Sequence, residues 1–109
     1  MPCDSISTVD VEAGKMDAQH VKRALETMGL NPRHTRAGIY DHDKGEYNHV
    51  TGAATWRTSA MQSDQNPDEL TAELKRAYSA EIIKSQAQRY GWTLRTSATD
   101  RYAFTVAKR

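Results

Sequence analysis

Two segments of the chain carry the three- and four-residue spacing of apolar positions that indicates an amphipathic helix. In the first segment the apolar stripe consists of Val21, Ala24, Leu25 and Met28. Asp17 is a suitable N-cap for this helix, and Gly29 followed by Leu30 predicts a Schellman ending. The sequence therefore predicts a first helix between Asp17 and Gly29.

The second helical segment, from Asn66 to Trp92, is longer, and its apolar stripe changes direction halfway. Asn66 can cap this helix, Pro67 fits the first helical position, and Gly91 ends it. The first half carries one stripe and the second half carries another on nearly the opposite side: Leu70, Leu74 and Ala77, then Ala80, Ile83, Ala87 and Tyr90. We expect the second half to cover the domain's own core and the first half to contact a loop, a second protomer or a partner.

The first half of this helix supplies the candidate partner-binding residues, which are Leu70, Leu74, Ala77 and Tyr78. Polar replacement of Leu70 and Leu74 is expected to leave the monomer stable and to weaken association. The alternative is that the loop Thr58 to Gln65 folds back over the two leucines. Ile83→Ala, in the second half, is expected to cost on the order of 2 to 4 kcal/mol of stability.

The other segments alternate with the two-residue period of β-strands. A first strand is predicted within Ser5 to Glu12, and a hairpin between Thr35 and Thr58 around the turn Asp43-Lys44-Gly45. A second hairpin is predicted from residues 92–96 and 102–106. In these strands one parity is apolar and the other consists of Thr, Ala and Arg, so we expect an open sheet face of those three residue types.

The predicted order of elements is β-α-β-β-α-β-β, within a single domain that spans residues 1–109. Two helices on one face of an antiparallel sheet satisfy this order. The predicted fold class is therefore α+β, a two-layer sandwich of ferredoxin-like or related arrangement. A chain of 109 residues is long enough for one such core and too short for two.

The composition gives little sign of a strongly charged or membrane partner. The chain contains fifteen Lys and Arg and fourteen Asp and Glu, which gives a formal charge of +1. It has a single cysteine, Cys3, which excludes an internal disulfide framework. No apolar run approaches the roughly 20 residues of a membrane span, and the N-terminus lacks the features of a signal peptide. We expect a soluble, cytoplasmic protein that does not bind a membrane.

The densest group of potential metal ligands surrounds the first hairpin turn: Asp41, His42, Asp43, Glu46 and His49. Alternation sends neighbouring side chains to opposite faces, and the run lacks the calcium-loop pattern, so a solvated polar turn is the favoured interpretation. His20 and His34 are interpreted as surface histidines, and no motif places a base beside Cys3. We expect no catalytic residue, metal or cofactor, and a metal-dependent enzyme at this hairpin stays the least favoured hypothesis.

A nucleic-acid or anion site on the sheet is the alternative function, with Arg57, Arg95 and Arg101 as its candidate residues. Sheets that bind single-stranded nucleic acid present exposed aromatic rings to the bases. Here the aromatic residues of the strands share the parity of the covered face. We therefore predict that the open sheet face does not stack bases.

The segment Leu74 to Lys84, continued by Gln88 to Trp92, resembles the C-terminal part of an uncharacterised plastid and cyanobacterial reading-frame family, domain of unknown function 1257. Arg76-Ala-Tyr78 and Gly91-Trp92 match its pattern, and the first strand around Ser5 to Val9 is similar as well. The middle, Arg36 to Thr58, departs from the family. The family also occurs in bacteria and phages, often beside an AAA-type ATPase, and carries no catalytic motif.

Together these observations favour a non-enzymatic accessory or adaptor domain that acts through protein–protein interaction or self-association. The resemblance implies an AAA-type ATPase as one possible partner, and a host protein inhibited by a phage or mobile-element product as another. Nucleic-acid binding is the alternative.

Overall fold

The computed structural model describes residues 6–35, 38–59 and 66–107. Its elements in chain order are β1 (Ile6–Glu12), α1 (Ala18–Thr27), β2 (Arg33–His34), β3 (Ile39–His42), β4 (Gly45–Asn48), β5 (Ala53–Ser59), α2 (Pro67–Tyr90), β6 (Thr93–Thr96) and β7 (Phe104–Ala107). All the strand pairings in these ranges are antiparallel. The predicted α+β class with antiparallel strands and two helices is confirmed.

The strands form two separate sheets, a five-stranded sheet in the order β1-β5-β4-β3-β2 and the pair β6-β7. Four strands rather than the predicted two lie between the helices. The second arm of the predicted hairpin divides into β4 and β5 because Asn48 closes a turn, its side-chain oxygen accepting the N–H groups of Val50 and Thr51 at 2.9 and 3.2 Å. The ferredoxin-like arrangement is not confirmed, since β6 and β7 pair with each other and do not extend the larger sheet.

The ends of α1 follow from local chemistry, as predicted. The Asp17 side chain accepts the N–H of His20 at the N-terminus. At the other end Gly29 adopts a φ of 87°, and the N–H of Leu30 donates to the carbonyl of Leu25 at 3.0 Å. This is the Schellman ending, and the positive φ explains why a glycine stands there.

The ends of α2 also agree with the prediction. The Asn66 side chain accepts the N–H of Asp68 at 2.9 Å, Pro67 opens the helix, and Gly91 ends it with a φ of 71°. The first half of α2 packs on the sheet and on α1. The loop of the hairpin β6-β7 also lies against this half, through Glu73 and Arg76.

One face of the larger sheet and one side of each helix form the core. The register puts Tyr47 beside Ala54 and opposite Tyr40, and the same face continues to Trp56. These side chains belong to one buried cluster that includes residues of both helices: Val21, Ala24 and Leu25 of α1, and Leu74 and Ala77 of α2. Trp56 and Tyr47 are the largest of the fully buried side chains in it.

Gly45 permits a close approach of β4 to β5. It begins β4 with a φ of 149°, and a Cβ at this position would lie 1.9 Å from the carbonyl oxygen of Thr55. A side chain cannot fit there without displacing backbone, which explains the glycine that follows the Asp43-Lys44 turn.

Within the described ranges, no helix combines the length and the apolar character needed to cross a membrane.

Candidate functional site

Strand β1 forms one edge of the five-stranded sheet, and in the described part of the chain it pairs with β5 alone. It is seven residues long, with the sequence Ile-Ser-Thr-Val-Asp-Val-Glu. Its register with β5 runs from Ile6 opposite Ser59 to Glu12 opposite Ala53 without interruption. A long, regular edge strand with free backbone groups is a template for pairing with another strand.

The ladder geometry identifies which backbone groups of β1 are free. The N–H of Ala13 donates to the carbonyl of Gly52 at 2.9 Å, in the same register as the strand pair. Because hydrogen-bonded positions alternate along an antiparallel strand, Val11 and Val9 also face β5. The N–H and C=O groups of Thr8, Asp10 and Glu12 therefore point away from the sheet.

The two edges of the sheet differ in how they are protected. Strand β2, at the opposite edge, has two residues, follows Pro32 and carries Arg33, and each of these features discourages strand addition. Strand β1 has no proline and no lysine or arginine. Its Val9 side chain is 39% exposed although it belongs to the covered face of the sheet. The edge that invites pairing is therefore β1.

The acidic side chain nearest the centre of β1 is held over its own sheet. Asp10 accepts a hydrogen bond of 2.7 Å from the hydroxyl of Thr55 on β5, on the open face. This contact draws the carboxylate toward β5, so that it does not project across the free edge.

The four predicted partner-binding residues lie in or against the core of the domain itself. Leu74 and Ala77 have no exposed surface, and Leu70 and Tyr78 pack against the same cluster. The hypothesis that the first half of α2 presents a free apolar stripe is therefore wrong. The covering residues are long-range neighbours, since Trp56 of β5 and Leu25 of α1 belong to the same cluster as Leu74.

Tyr78 joins the two helices. Its hydroxyl accepts the N–H of Asp17 at 2.9 Å, and its ring meets the ring of His20 edge to face. His20 is also paired with Asp17 through Nδ1 at 2.8 Å. These contacts fix the start of α1 on α2. The alternative prediction is that the loop of residues 58–65 folds back over Leu70 and Leu74. Most of that loop lies outside the described residues.

The three arginines of the alternative nucleic-acid site do not share a surface. Arg57 donates to the carbonyl oxygens of His42 and Asp43, both at 2.9 Å, and so braces the β3-β4 turn. Arg95 lies on the separate pair β6-β7, and Arg101 in the loop between those strands pairs with Glu73 at 2.8 Å. The expected open face of Thr, Ala and Arg is also more acidic than predicted, because Asp10, Asp41 and Glu46 lie on it.

A cleft of about 610 Å³ lies between α2 and the loop before β7. Within it Glu73 accepts hydrogen bonds from the hydroxyl of Tyr102 at 2.6 Å and from Arg101 at 2.8 Å. Arg76 pairs with Asp100 at 3.3 Å and lies over the ring of Tyr102. The charged groups are thus used to hold the loop on the helix.

We call the contacts of Glu73 with Tyr102 and Arg101 the clamp. The pKa values of Glu73 and Tyr102 agree with a structural role for these contacts. Burial alone would raise the pKa of Glu73, but the hydrogen bonds from Tyr102 and Arg101 outweigh it and the net pKa is lowered. Burial and the same carboxylate raise the pKa of Tyr102 to about 12. At neutral pH the first group stays ionised and the second stays protonated, so neither exchanges a proton readily.

The predicted metal-ligand group around the first hairpin is divided by the sheet. Asp41 and Glu46 are opposite each other on the open face, while His42 points into the core against Trp56, with ring centroids 5.4 Å apart. Of the described residues, no three His, Cys, Asp or Glu form a group that could hold a metal ion. The interpretation of a solvated turn is wrong for His42, which is 3% exposed.

Burial sets the protonation state of His42. Desolvation lowers its pKa to about 4 despite the opposing charge of Asp41, and the charge of Arg57 acts in the same direction as burial. Nδ1 accepts the N–H of Lys44 at 3.1 Å, whereas Nε2 is buried without a partner. The neutral ring is therefore a core residue that closes the turn.

The other candidate side chains are separate from this group. His34 is exposed and its ring lies tilted against that of Tyr40, with ring centroids 4.8 Å apart, and His49 lies near both rings. Cys3 falls outside the described residues.

A basic and aromatic segment at the C-terminal end was missed by the sequence reasoning. Residues 82–109 contain six Lys and Arg and one Asp, a balance of +5, whereas residues 1–81 contain nine Lys and Arg and thirteen Asp and Glu, a balance of −4. At the end of α2, Tyr90 is 58% exposed, stacks on Trp92 at 5.3 Å, and has Arg89 near its ring. The charge asymmetry was readable from the sequence, but the near-neutral total conceals it.

Comparison with protein-family models, with curated proteins and with solved structures gives no match for this chain.

Proposed function

We propose that this chain is a non-enzymatic protein-interaction domain that binds an extended strand of its partner along the free edge of β1. The observation that supports this most directly is the contrast between the two sheet edges. The β1 edge offers outward backbone groups at Thr8, Asp10 and Glu12 without a proline or a basic side chain to block them. Strand addition of this kind takes its affinity from main-chain hydrogen bonds and its specificity from alternate side chains.

The chemistry of the remaining surface is consistent with this role. Four charged groups of the cleft form the ion pairs Arg76–Asp100 and Arg101–Glu73, and His42 is a neutral core residue. The adaptor role implied by the resemblance to domain of unknown function 1257 belongs to the same proposal, as does membership of that family.

A proline substitution at an outward position tests the proposal. Thr8→Pro removes one outward N–H and places a ring on the edge, but it leaves the hydrogen bonds to β5 in place. The matched control is His34→Pro at the opposite edge. The N–H of Thr35 donates to Ile39 across the β2-β3 register, so by alternation the N–H of His34 points away from β3.

The measurement is affinity capture from the native source with wild-type, Thr8→Pro and His34→Pro baits, after circular dichroism has shown that all three fold. We expect one partner to be captured by the wild type and by His34→Pro and to be lost with Thr8→Pro. Backbone amides of Thr8, Asp10 and Glu12 should also gain protection from hydrogen exchange in the complex. Equal capture by all three baits would contradict binding at the β1 edge.

The basic C-terminal segment supports a second candidate function, the binding of single-stranded nucleic acid. An exposed aromatic ring beside an arginine, in a part of the sequence with a net charge of +5, is a feature that such ligands use. This site differs from the predicted one, because Arg57 lies outside the segment and Arg101 is paired with Glu73.

Fluorescence anisotropy with a labelled single-stranded oligonucleotide at several salt concentrations distinguishes the sites. Tyr90→Ala is expected to weaken binding on the order of tenfold, and Arg95→Ala to reduce the salt dependence. Arg57→Ala is the control, since Arg57 donates to its own turn. Undetectable binding at physiological salt would remove this candidate.

A further inference from the structure

The β1 edge is complementary to itself. The backbone groups of β1 that point away from the sheet belong to even-numbered residues. If two copies of β1 pair antiparallel through these groups, each even-numbered residue must lie opposite an even-numbered residue of the other copy, so the two residue numbers of a pair add to an even number. Among these registers, the one that pairs Ile6 with Glu12 of a second copy overlaps all seven residues. It puts Thr8 opposite Asp10 of the other copy and Val9 opposite Val9.

The neighbouring registers are less favourable. A shift that pairs Asp10 with Asp10 brings like charges directly opposite each other and shortens the overlap. A shift that pairs Thr8 with Thr8 leaves Val9 opposite Ser7 and also shortens the overlap of the two strands. The full-length register has no like charges directly opposite, and it buries the 39% exposed Val9 side chain against its own copy at the two-fold axis.

We propose that the chain self-associates through β1, in the register centred on Val9, as a two-fold symmetric dimer. This inference rests on the proposed function and names a second copy of the chain as the partner strand. The two five-stranded sheets join into one continuous antiparallel sheet through about eight backbone hydrogen bonds, with the helices of both copies on the same side. The contact is one strand wide, so the dimer belongs to the weak and transient class of interfaces.

The carboxylates set how the affinity responds to charge. In the proposed register the two Asp10 residues are diagonal neighbours, with Cα atoms roughly 7 to 8 Å apart, and their carboxylates repel each other. Each also accepts a hydrogen bond from Thr55 of its own copy, which an asparagine side-chain oxygen can accept equally. Asp10→Asn removes the repulsion and keeps this contact, so it should tighten the dimer several-fold, and added salt should tighten the wild-type dimer.

Cysteine cross-linking tests the register directly. In a Cys3→Ala background, Val9→Cys brings two cysteines opposite each other across the axis at a separation of Cα atoms of about 4.5 Å, which a disulfide can bridge. Val11→Cys is the control, because in this register it lies opposite Ser7 and is several residues away from its own copy. Mild oxidation should give a covalent dimer with the cysteine at position 9 and none with the cysteine at position 11.

Sedimentation velocity over a concentration series provides the second measurement. The wild type should pass from the mass of one chain to the mass of two, and Thr8→Pro, which acts at both ends of the symmetric contact, should weaken this on the order of 100-fold. A dimer that cross-links through position 11, or that is insensitive to Thr8→Pro, would overturn the proposal. So would a chain that stays monomeric and forms no Val9→Cys cross-link.

These outcomes separate the inference from the proposed function. A monomeric chain whose partner capture is still lost with Thr8→Pro refutes self-pairing and leaves the β1 edge as a site for another protein. A chain with neither a dimer nor an edge-dependent partner refutes both.

Discussion

The indole N–H of Trp56 donates to the hydroxyl of Thr71 at 2.8 Å, and both side chains are buried. The Thr71 hydroxyl in turn donates to the carbonyl of Pro67 at 2.8 Å. This chain of two hydrogen bonds joins the middle of β5 to the first turn of α2. It orients the first half of α2 on the sheet and explains why that half lies in the core.

A double-mutant cycle on this pair should reveal their coupling. Thr71→Val leaves the indole N–H buried without an acceptor and should cost about 1 to 3 kcal/mol. Trp56→Phe removes the donor and part of the packed ring. In urea unfolding, the double variant should lose about 1 kcal/mol less stability than the sum of the losses in the two single variants. Additive effects would mean that the hydrogen bond contributes little.

The two halves of α2 should respond to truncation in the order opposite to that expected from its stripes. Leu74→Ala removes a fully buried side chain and should cost about 2 to 5 kcal/mol, whereas Ile83 is half-buried and Ile83→Ala should cost about 1 kcal/mol. Chemical unfolding of both variants gives the comparison. A larger loss for Ile83→Ala would contradict the packing described for α2.

The elements whose ends depend on nearby residues could be predicted from the sequence. The caps at Asp17 and Asn66, and the left-handed glycines at positions 29 and 91, involve hydrogen bonds within a few residues, so their patterns are visible locally. The division of β4 from β5 was missed because the turn is closed by the side chain of Asn48, and the Thr51-Gly52 pair that marks it was not recognised as a turn.

The partner surface could not be predicted, because an apolar stripe indicates that a face is buried and does not indicate what covers it. Leu74 meets residues of β5 and α1 that are distant in sequence. Similarly, no local pattern shows that β1 is an edge strand, since strand order depends on pairing between distant segments. The burial of His42 had a signal in the parity it shares with Tyr40, but histidine is usually assigned to the surface.

The stability of the protein should fall as the pH is lowered from 6.5 toward 4, because of His42. Its pKa is about 4 in the folded state against 6.5 as the ordinary value, so the unfolded chain binds the proton first and unfolding is favoured in this window. The full loss in the free energy of unfolding from this titration is about 3 kcal/mol. His42→Phe should remove this part of the pH dependence in urea unfolding at a series of pH values.

Glu73→Gln is the control for the titration of His42. The pKa of Glu73 is lowered from 4.5, so its contribution is present above pH 4.5 and is lost only below it. This variant should therefore keep the loss of stability between pH 6.5 and 4. If His42→Phe keeps the same slope as the wild type, the histidine is not the group that titrates.

The clamp between Glu73 and Tyr102 should control local opening of the β6-β7 hairpin more than global stability. Tyr102 and Arg101 both donate to the carboxylate of Glu73, whereas the main core lies between the larger sheet and the helices. Tyr102→Phe removes one of these donors. Amide exchange in residues 97–107 should accelerate on the order of tenfold, and the urea midpoint should change little.

Hydrogen exchange measured by mass spectrometry separates this local effect from a global one. Thr55→Val is the matched control, because it also removes a hydroxyl that donates to a carboxylate, that of Asp10, but on the open face of the larger sheet. It should leave exchange in residues 97–107 at the wild-type rate. Since the pKa of Glu73 is lowered from 4.5 by its two donors, the wild-type clamp should hold above that pH and open as the carboxylate is protonated at lower pH. Equal acceleration across β1 to β5 in Tyr102→Phe would show instead that the hairpin and the larger sheet unfold as one unit.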